Sequence, residues 1–538
     1  SSNDLTSTTN NITSGSSNIL INGSNNAIFG SSNNETSTNN SLLTGLSNTS
    51  NNSNYILTQG FGNVISSTNY SIISGTNHSE INGDTNSLFG KSQTVSDSSA
   101  VLLSGLNNTI NASKYVNVHG ESNIVKTSLN SSVFGNTHKV ESTNNVLTSG
   151  HLHDVSGNTK QSLVSGYNHK ENNGQNNSTF GSTQIVKNTI NTLTSGLSNQ
   201  TLSSNQSGII GKSNIVTNIT DTFVSGNNNI ITNTFNSIIG GLNHNDTSGN
   251  ANTILGNNQT SNNSINNVVN GKDNTLLNEN NSVLSGDTNT LKNGENNATM
   301  GKNNVIDDAS QIISTGENNK ITTEQSSIIS GKDNTISSGI YNAISGLFNT
   351  VTNASQSIVS GKSNNVTNTS NSILAGDSNI YMEDYEIINV GTGNNIHTVS
   401  DTAVFGKSHD ISNNTTNSLI SGNTNKENNG TNNVTFGEEN KSYRSKNDIV
   451  GGKNNMSYDS SKNAVFGEAN QLYNMGSSVI SGKNITTIDS NRNAIIGMVH
   501  DVSENTINSI VGGNNNKVGK GENNMSIGNS NVLYNTKN

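Results

Sequence analysis

The sequence predicts an all-β fold: a parallel β-solenoid, or β-roll, of about 36 coils of 15 residues with two short strands per coil. Three observations predict it. Thirty-five glycines fall on a 15-residue ruler from Gly15 to Gly528, opening to 16 only at Gly150–Gly166, Gly406–Gly422 and Gly497–Gly513. Between the glycines, amide and β-branched residues alternate with a period of two, which is strand chemistry. The composition, 28% hydrophobic and 4% aromatic with no Pro, Cys or Trp, is too poor for an ordinary globular core but suits a narrow stack of like coils. A disordered Asn/Ser tract would share this composition without holding glycine in phase. One continuous solenoid over residues 1–538 is the expected organisation, with no separate domains.

Numbering each coil 1 to 15 with the ruler glycine last, position 3 is Asn in most coils (Asn18, Asn48, Asn214, Asn229, Asn274, Asn334, Asn349) and otherwise nearly always His or Gln. Position 5 is mostly Val, Ile or Leu; position 11 is usually Ser, Asn or Thr, and position 13 again mostly aliphatic. Positions 3, 5, 11 and 13 are therefore expected inside. The aliphatic residues stack in columns and the Asn residues in ladders, since an unpaired buried amide costs about 1–3 kcal/mol. The ruler glycine is expected at a corner that needs positive φ or close backbone approach. Position 1 alternates in sign (Lys302, Glu317, Lys332; Glu438, Lys453, Glu468, Lys483), as an in-register stack would place opposite charges side by side. The extra residue in each 16-residue coil is expected as a bulge at a corner.

Those longer coils carry His153-Asp154, His409-Asp410 and His500-Asp501. The histidines occupy position 3, so they are read as members of the amide ladder, with the Asp at position 4 pointing away from the ring. No catalytic, phosphate-binding or calcium-binding motif is present, and no catalytic residue, metal or cofactor is expected. There is no basic patch with interleaved aromatics for nucleic acid and no apolar run long enough to span a membrane. Asn-x-Ser/Thr triplets at Asn111, Asn218, Asn353 and Asn368 are candidate glycosylation sites outside the core. The most informative surface is the outward side of the second strand. Position 12 is commonly aliphatic (Leu42, Ile72, Leu102, Ile358, Ile373), position 14 ranges from Ser to Phe (Phe89, Phe134), and neither ever carries Asp, Glu, Lys or Arg. Positions 4 and 6 of the first strand do accept charge, as at Lys126, Lys139, Asp307 and Lys320. A long uncharged, partly apolar flank should have a partner.

Coils such as Asn-Ser-Ile-Ile-Gly-Gly (236–241) and Asn-Ala-Val-Phe-Gly (463–467) resemble the β-roll heads of trimeric autotransporter adhesins. The doubled Asn-x-Val unit with trailing glycine is similar to the ice-recrystallisation-inhibition proteins of cold-hardy grasses. Either resemblance implies a left-handed roll; the first implies attachment to host or matrix surfaces, the second a flat ice-binding face. An ice-binding face is expected to repeat one small, ordered residue, whereas positions 12 and 14 vary in size. The chain also opens on a full coil at Ser1–Gly15 and stops within a coil at Asn538, leaving strand edges to pair. The leading expectation is thus a non-catalytic extracellular adhesive rod that self-associates, laterally or end to end, into an oligomer or filament. Ice binding through the flat uncharged face is the alternative.

Overall fold

Alternation with a period of two sends every second side chain inward, and a strand this short is stable only when paired with its copies in neighbouring coils. The computed structural model, which describes residues 2–537, is such an assembly: an all-β parallel β-solenoid of about 35 turns with two strands per coil. The terminal residues Ser1 and Asn538, on which the expectation of open ends rests, lie outside the described residues. The short strand covers positions 4–6, as in Ile19–Ile21, and the long one runs from position 12 into position 1 of the next coil, as in Ala27–Ser31. No helix occurs among the described residues.

The chain forms two compact units, Ser1–Lys272 and Asp273–Asn538. Within the first, Leu42 pairs with Leu57, Leu57 with Ile72 and Ile72 with Ser87. Within the second, Ile313 pairs with Ile328, Ile328 with Ala343 and Ala343 with Ile358. Like faces like, one coil apart, so a slip by one residue would turn the aliphatic columns outward. Position 1 shows the same register in its ion pairs: Lys332–Glu317 (3.2 Å), Lys453–Glu438 (3.3 Å) and Lys483–Glu468 (3.1 Å).

The path turns at positions 2, 7 and 10, where non-glycine residues adopt the left-handed conformation, as at Ser17, Asn22 and Asn25 (φ 57°, 52° and 57°). Asn is the commonest residue at positions 7 and 10 because its short polar side chain tolerates that conformation best, while position 2 is shared between Ser and Asn. Each 16-residue coil places two left-handed residues in succession at the position 7 corner: Gly157 and Asn158, Asn413 and Asn414, Glu504 and Asn505. Position 9 adds a third column of single-residue bridges, such as Thr9 to Ser24 and Ser24 to Asn39.

The ruler glycine is not at a corner. It is the fourth residue of the long strand, as Gly346 is within Ala343–Leu347. The physical demand is nevertheless the one anticipated for glycine. Gly346 has φ +118°, and a Cβ there would stand 1.9 Å from the carbonyl oxygen of Gly361. Glycine lets the strand keep its ladder while the backbones of neighbouring coils close up.

Inside, Leu20, Ile28 and Leu43 begin aliphatic columns at positions 5 and 13 that recur through both units. Position 8 also points inward, which alternation within strands does not reveal because it lies between them. A second class of glycine belongs to this position. Glu80, Glu171 and Glu427 at position 5 are each followed by Gly at position 8 and Asn at position 11, and Asp246 repeats the pattern. Asn86 donates to Glu80 (2.7 Å), Asn177 to Glu171 and Asn433 to Glu427 (both 3.0 Å). A Cβ on Gly83, Gly174 or Gly430 would fall 2.1–2.4 Å from the carboxyl oxygen of its glutamate. The small residue thus makes room for a buried acid. Burial pushes Glu80 and Glu427 up to about 7, Asp246 to about 6, and Glu171 also upward. Burial likewise raises Glu35 and Asp384 to about 8, Glu279 to about 7, and Glu324 and Asp448 without a fixed value.

Candidate binding face

The amide ladder positions the backbone against which the outer face is laid. Asn18 Oδ1 accepts from the backbone N–H of Asn33 (3.1 Å) and from its side-chain amide (3.2 Å), while that amide also donates to Gly45 O (3.0 Å). Asn214, Asn229 and Asn349 make the same bonds to the carbonyls of Gly226, Gly241 and Gly361; Asn274 and Asn334 make theirs to Gly286 and Gly346. Each of these amides therefore also reaches a ruler glycine in the long strand.

His153, His409 and His500 are buried in this column. His153 Nε2–H donates to Ser149 O (2.8 Å), and its Nδ1 accepts from the backbone N–H of His169 (3.2 Å). His409 and His500 repeat the arrangement with Phe405 O and Ile496 O, and with the N–H groups of Asn425 and Asn516. The backbone donor fixes the tautomer and occupies the nitrogen that a metal or proton would need. The rings of His138, His153 and His169 stack at 4.6 and 4.8 Å, and burial lowers His153 to about 4. The neighbouring Asp410 faces out and pairs with Lys426 (3.4 Å). Among the described residues no group of three His, Cys, Asp or Glu is placed to hold a metal.

Of the glycosylation triplets, Asn218, Asn353 and Asn368 are exposed at position 7, where Asn218 donates to Asn233 (2.7 Å) and Asn353 to Asn368 (3.1 Å). Asn111 is half-buried in a short strand, bonded to Ser96 (2.6 Å).

Position 12 faces solvent rather than the core. Ile72 is 42% exposed, Leu102 38%, Ile358 49% and Ile373 44%; Leu42 is half-buried. Phe89 and Phe134 at position 14 stand beside this column, 39% and 37% exposed. In each unit positions 12 and 14 form two uncharged columns, with copies about 4.8 Å apart along the stack and the columns about 7 Å apart across it. Charge resumes at position 1, beyond the glycine, and at some position 10 corners on the other side, as at Asp221, Glu386, Asp401, Lys462 and Arg492.

The unevenness expected from reading these columns singly is partly cancelled between them. At all seven coils with Phe at position 14, position 12 is Ala, Ser or Val, as in Ala27/Phe29, Ser87/Phe89 and Ser132/Phe134. Where position 12 is Leu or Phe, position 14 is Ser, Thr or Gln, as in Leu42/Thr44 and Phe223/Ser225. Large groups also lean over small neighbours in the next coil: a Cβ on Gly451 would lie 2.2 Å from the ring of Phe436, and one on Gly208 2.8 Å from that of Phe223. Bulk is thereby partly compensated between the columns, although Ile388/Val390 are both large and Ala343/Ser345 both small. The signal is present in the sequence, but only as a correlation between two positions of one coil.

A family model described as "Grass antifreeze beta roll" matches residues 254–352. No curated protein matches the chain. In the matched stretch the long-strand face carries Val268, Val283, Ile313, Ile328 and Ala343 at position 12. The short-strand face there carries a threonine row (Thr260, Thr275, Thr290, Thr335, Thr350) interrupted by Val305 and Lys320.

Proposed function

We propose that this protein is a non-catalytic, extracellular ice-binding β-roll, acting through the outward face of its long-strand sheet. The observation that carries the reading is the partly levelled, charge-free pair of columns at positions 12 and 14. A rigid lattice of water rewards a flat surface with fixed spacing and penalises any group that must keep its own hydration shell. Paired β-strands supply the spacing, and the exclusion of Asp, Glu, Lys and Arg supplies the second requirement. The match of residues 254–352 to a grass antifreeze roll supports the same assignment. Glycans on Asn218, Asn353 or Asn368 would stand at the position 7 corner, clear of this face.

The test is ice-recrystallisation inhibition by the full chain and by face variants. Ile313→Lys and Ile328→Lys each place an ammonium on the layer. Dehydrating it costs several kcal/mol, so the effective concentration is expected to rise by at least about tenfold. Thr335→Lys, on the short-strand face, is expected to match the parent. A parent chain with no effect on ice overturns the proposal, and activity lost in Thr335→Lys but kept in the isoleucine variants moves it to the other face.

A second reading rests on the apolar character of the same columns, where Ile313 and Ile328 are 45% and 53% exposed. Two copies could bury these faces against each other, giving the self-associating rod of the leading sequence-based expectation. Sedimentation of the full chain over a concentration series separates the two: a stable oligomer that dissociates in Ile328→Lys supports association, and a monomer refutes it.

A further inference from the structure

We infer that coils two to four of the first unit carry a binding notch for an uncharged saccharide, which borders the position 12 column but whose aromatic wall, Tyr55, lies outside it. A shallow depression is lined by Asn25, Asn40, Leu42, Tyr55 and Leu57, at the corner where position 10 meets the edge of the long-strand sheet. Side-chain amides run down this corner, Asn10 donating to Asn25 (3.2 Å) and Asn25 to Asn40 (3.1 Å). The run ends there, because the next residue in the column is Tyr55. Among the described residues the amide nitrogen of Asn40 donates to nothing, and it is exposed.

Tyr55 stacks on Tyr70 with ring centroids 4.8 Å apart and planes 5° from parallel, so one face of Tyr55 is covered and the other is turned toward the coil of Asn40. Tyr55 is 51% exposed and has φ +56°, a conformation that costs a bulky residue more than the Asn that dominates position 10. The fold does not call for tyrosine here. An aromatic face, a free amide donor, amide oxygens and two leucines meet at one place. That set suits a pyranose, whose C–H face stacks on a ring while its hydroxyls bond to amides. Charge selects the class. Between Asp4 and Asp84 the only acidic or basic side chains are Glu35, His78 and Glu80, all of them buried, so nothing there would hold or favour a polyanion.

The experiment uses the full chain with cellulose and chitin as insoluble neutral probes, their soluble hexasaccharides, and heparin as an anionic probe. Retention on at least one neutral matrix is expected, with competition by the matching hexasaccharide showing that the soluble sugar occupies the same notch. Tyr55→Ala is expected to weaken retention about tenfold, the worth of one aromatic contact. Tyr341→Ala removes a 60% exposed tyrosine from position 10 of the second unit and is expected to change nothing. Failure to bind either neutral probe, binding unchanged in Tyr55→Ala, or preference for heparin overturns the inference. Ice-recrystallisation inhibition measured on the same Tyr55→Ala protein is expected to stay at the parent level, which keeps the two readings separable.

Discussion

Replacing Gly346 by alanine is expected to destabilise the second unit by more than about 3 kcal/mol, combining a φ that only glycine adopts readily with a backbone collision. The methyl group would meet the Gly361 carbonyl at 1.9 Å, and that oxygen also receives the amide of Asn349 at 3.1 Å. Relief therefore requires opening the long-strand ladder and breaking the amide ladder at once. Because coils in a solenoid are stabilised mainly by their neighbours, the damage should spread over adjacent coils before it fades. Hydrogen exchange should show protection lost around residues 331–376, with residues near 480 keeping theirs. Gly240→Ala is the control. Gly240 carries no positive φ, and a Cβ there would meet only the side chains of Leu255 and Ser225, at 3.1 and 3.2 Å. Its cost is expected to stay within about 1 kcal/mol. Equal losses in the two variants would refute the role given to the ruler glycine.

The second large effect is on pH. Nine buried carboxyls are raised by desolvation, with values from about 6 for Asp246 to about 8 for Glu35 and Asp384 where a value is fixed. A raised acid binds its proton more tightly in the folded chain. Its contribution is therefore complete below its unfolded value and is lost as pH rises through the folded one. The buried histidines His78, His138, His153, His169, His244 and His409 are lowered, chiefly by desolvation, and act in the opposite sense: their contribution is lost as pH falls below the usual histidine range. Between about pH 6.5 and 8 only the acids are still changing, so both units should lose stability there, by about 1 kcal/mol for each acid titrating near 7 to 8.

Below pH 6.5 the units should part. The second unit sets Glu279, Glu324, Asp384, Glu427 and Asp448 against His409 and should keep gaining stability down to about pH 5. The first sets four acids against five histidines and should gain less over the same range. Hydrogen exchange resolved by coil at pH 5, 6.5 and 8 reads both trends. Glu427→Gln should lessen the second unit's loss between pH 6.5 and 8 by about 1 kcal/mol while leaving that of the first unaltered. Stability rising from pH 6.5 to 8 would show that these carboxyls are not held protonated.

The period of the glycines, the inward Asn and aliphatic columns and the uncharged outer columns were all legible in the sequence. Each follows from a local rule, strand alternation, that repeats every 15 residues without reference to anything distant. The longer coils were legible for the same reason, an extra residue having nowhere to go but a corner. Three matters needed the tertiary structure. The ruler glycine sits inside a strand because the close approach it permits is to the next coil, which no single coil displays. The inward turn of position 8 and the acids it shelters depend on where the chain bends between strands. The partial evenness of the outer face arises when Phe436 lies over Gly451 and Ala27 stands beside Phe29, a fit of volumes between neighbours in space. A repeat specifies which way each side chain points; only packing decides what it meets there.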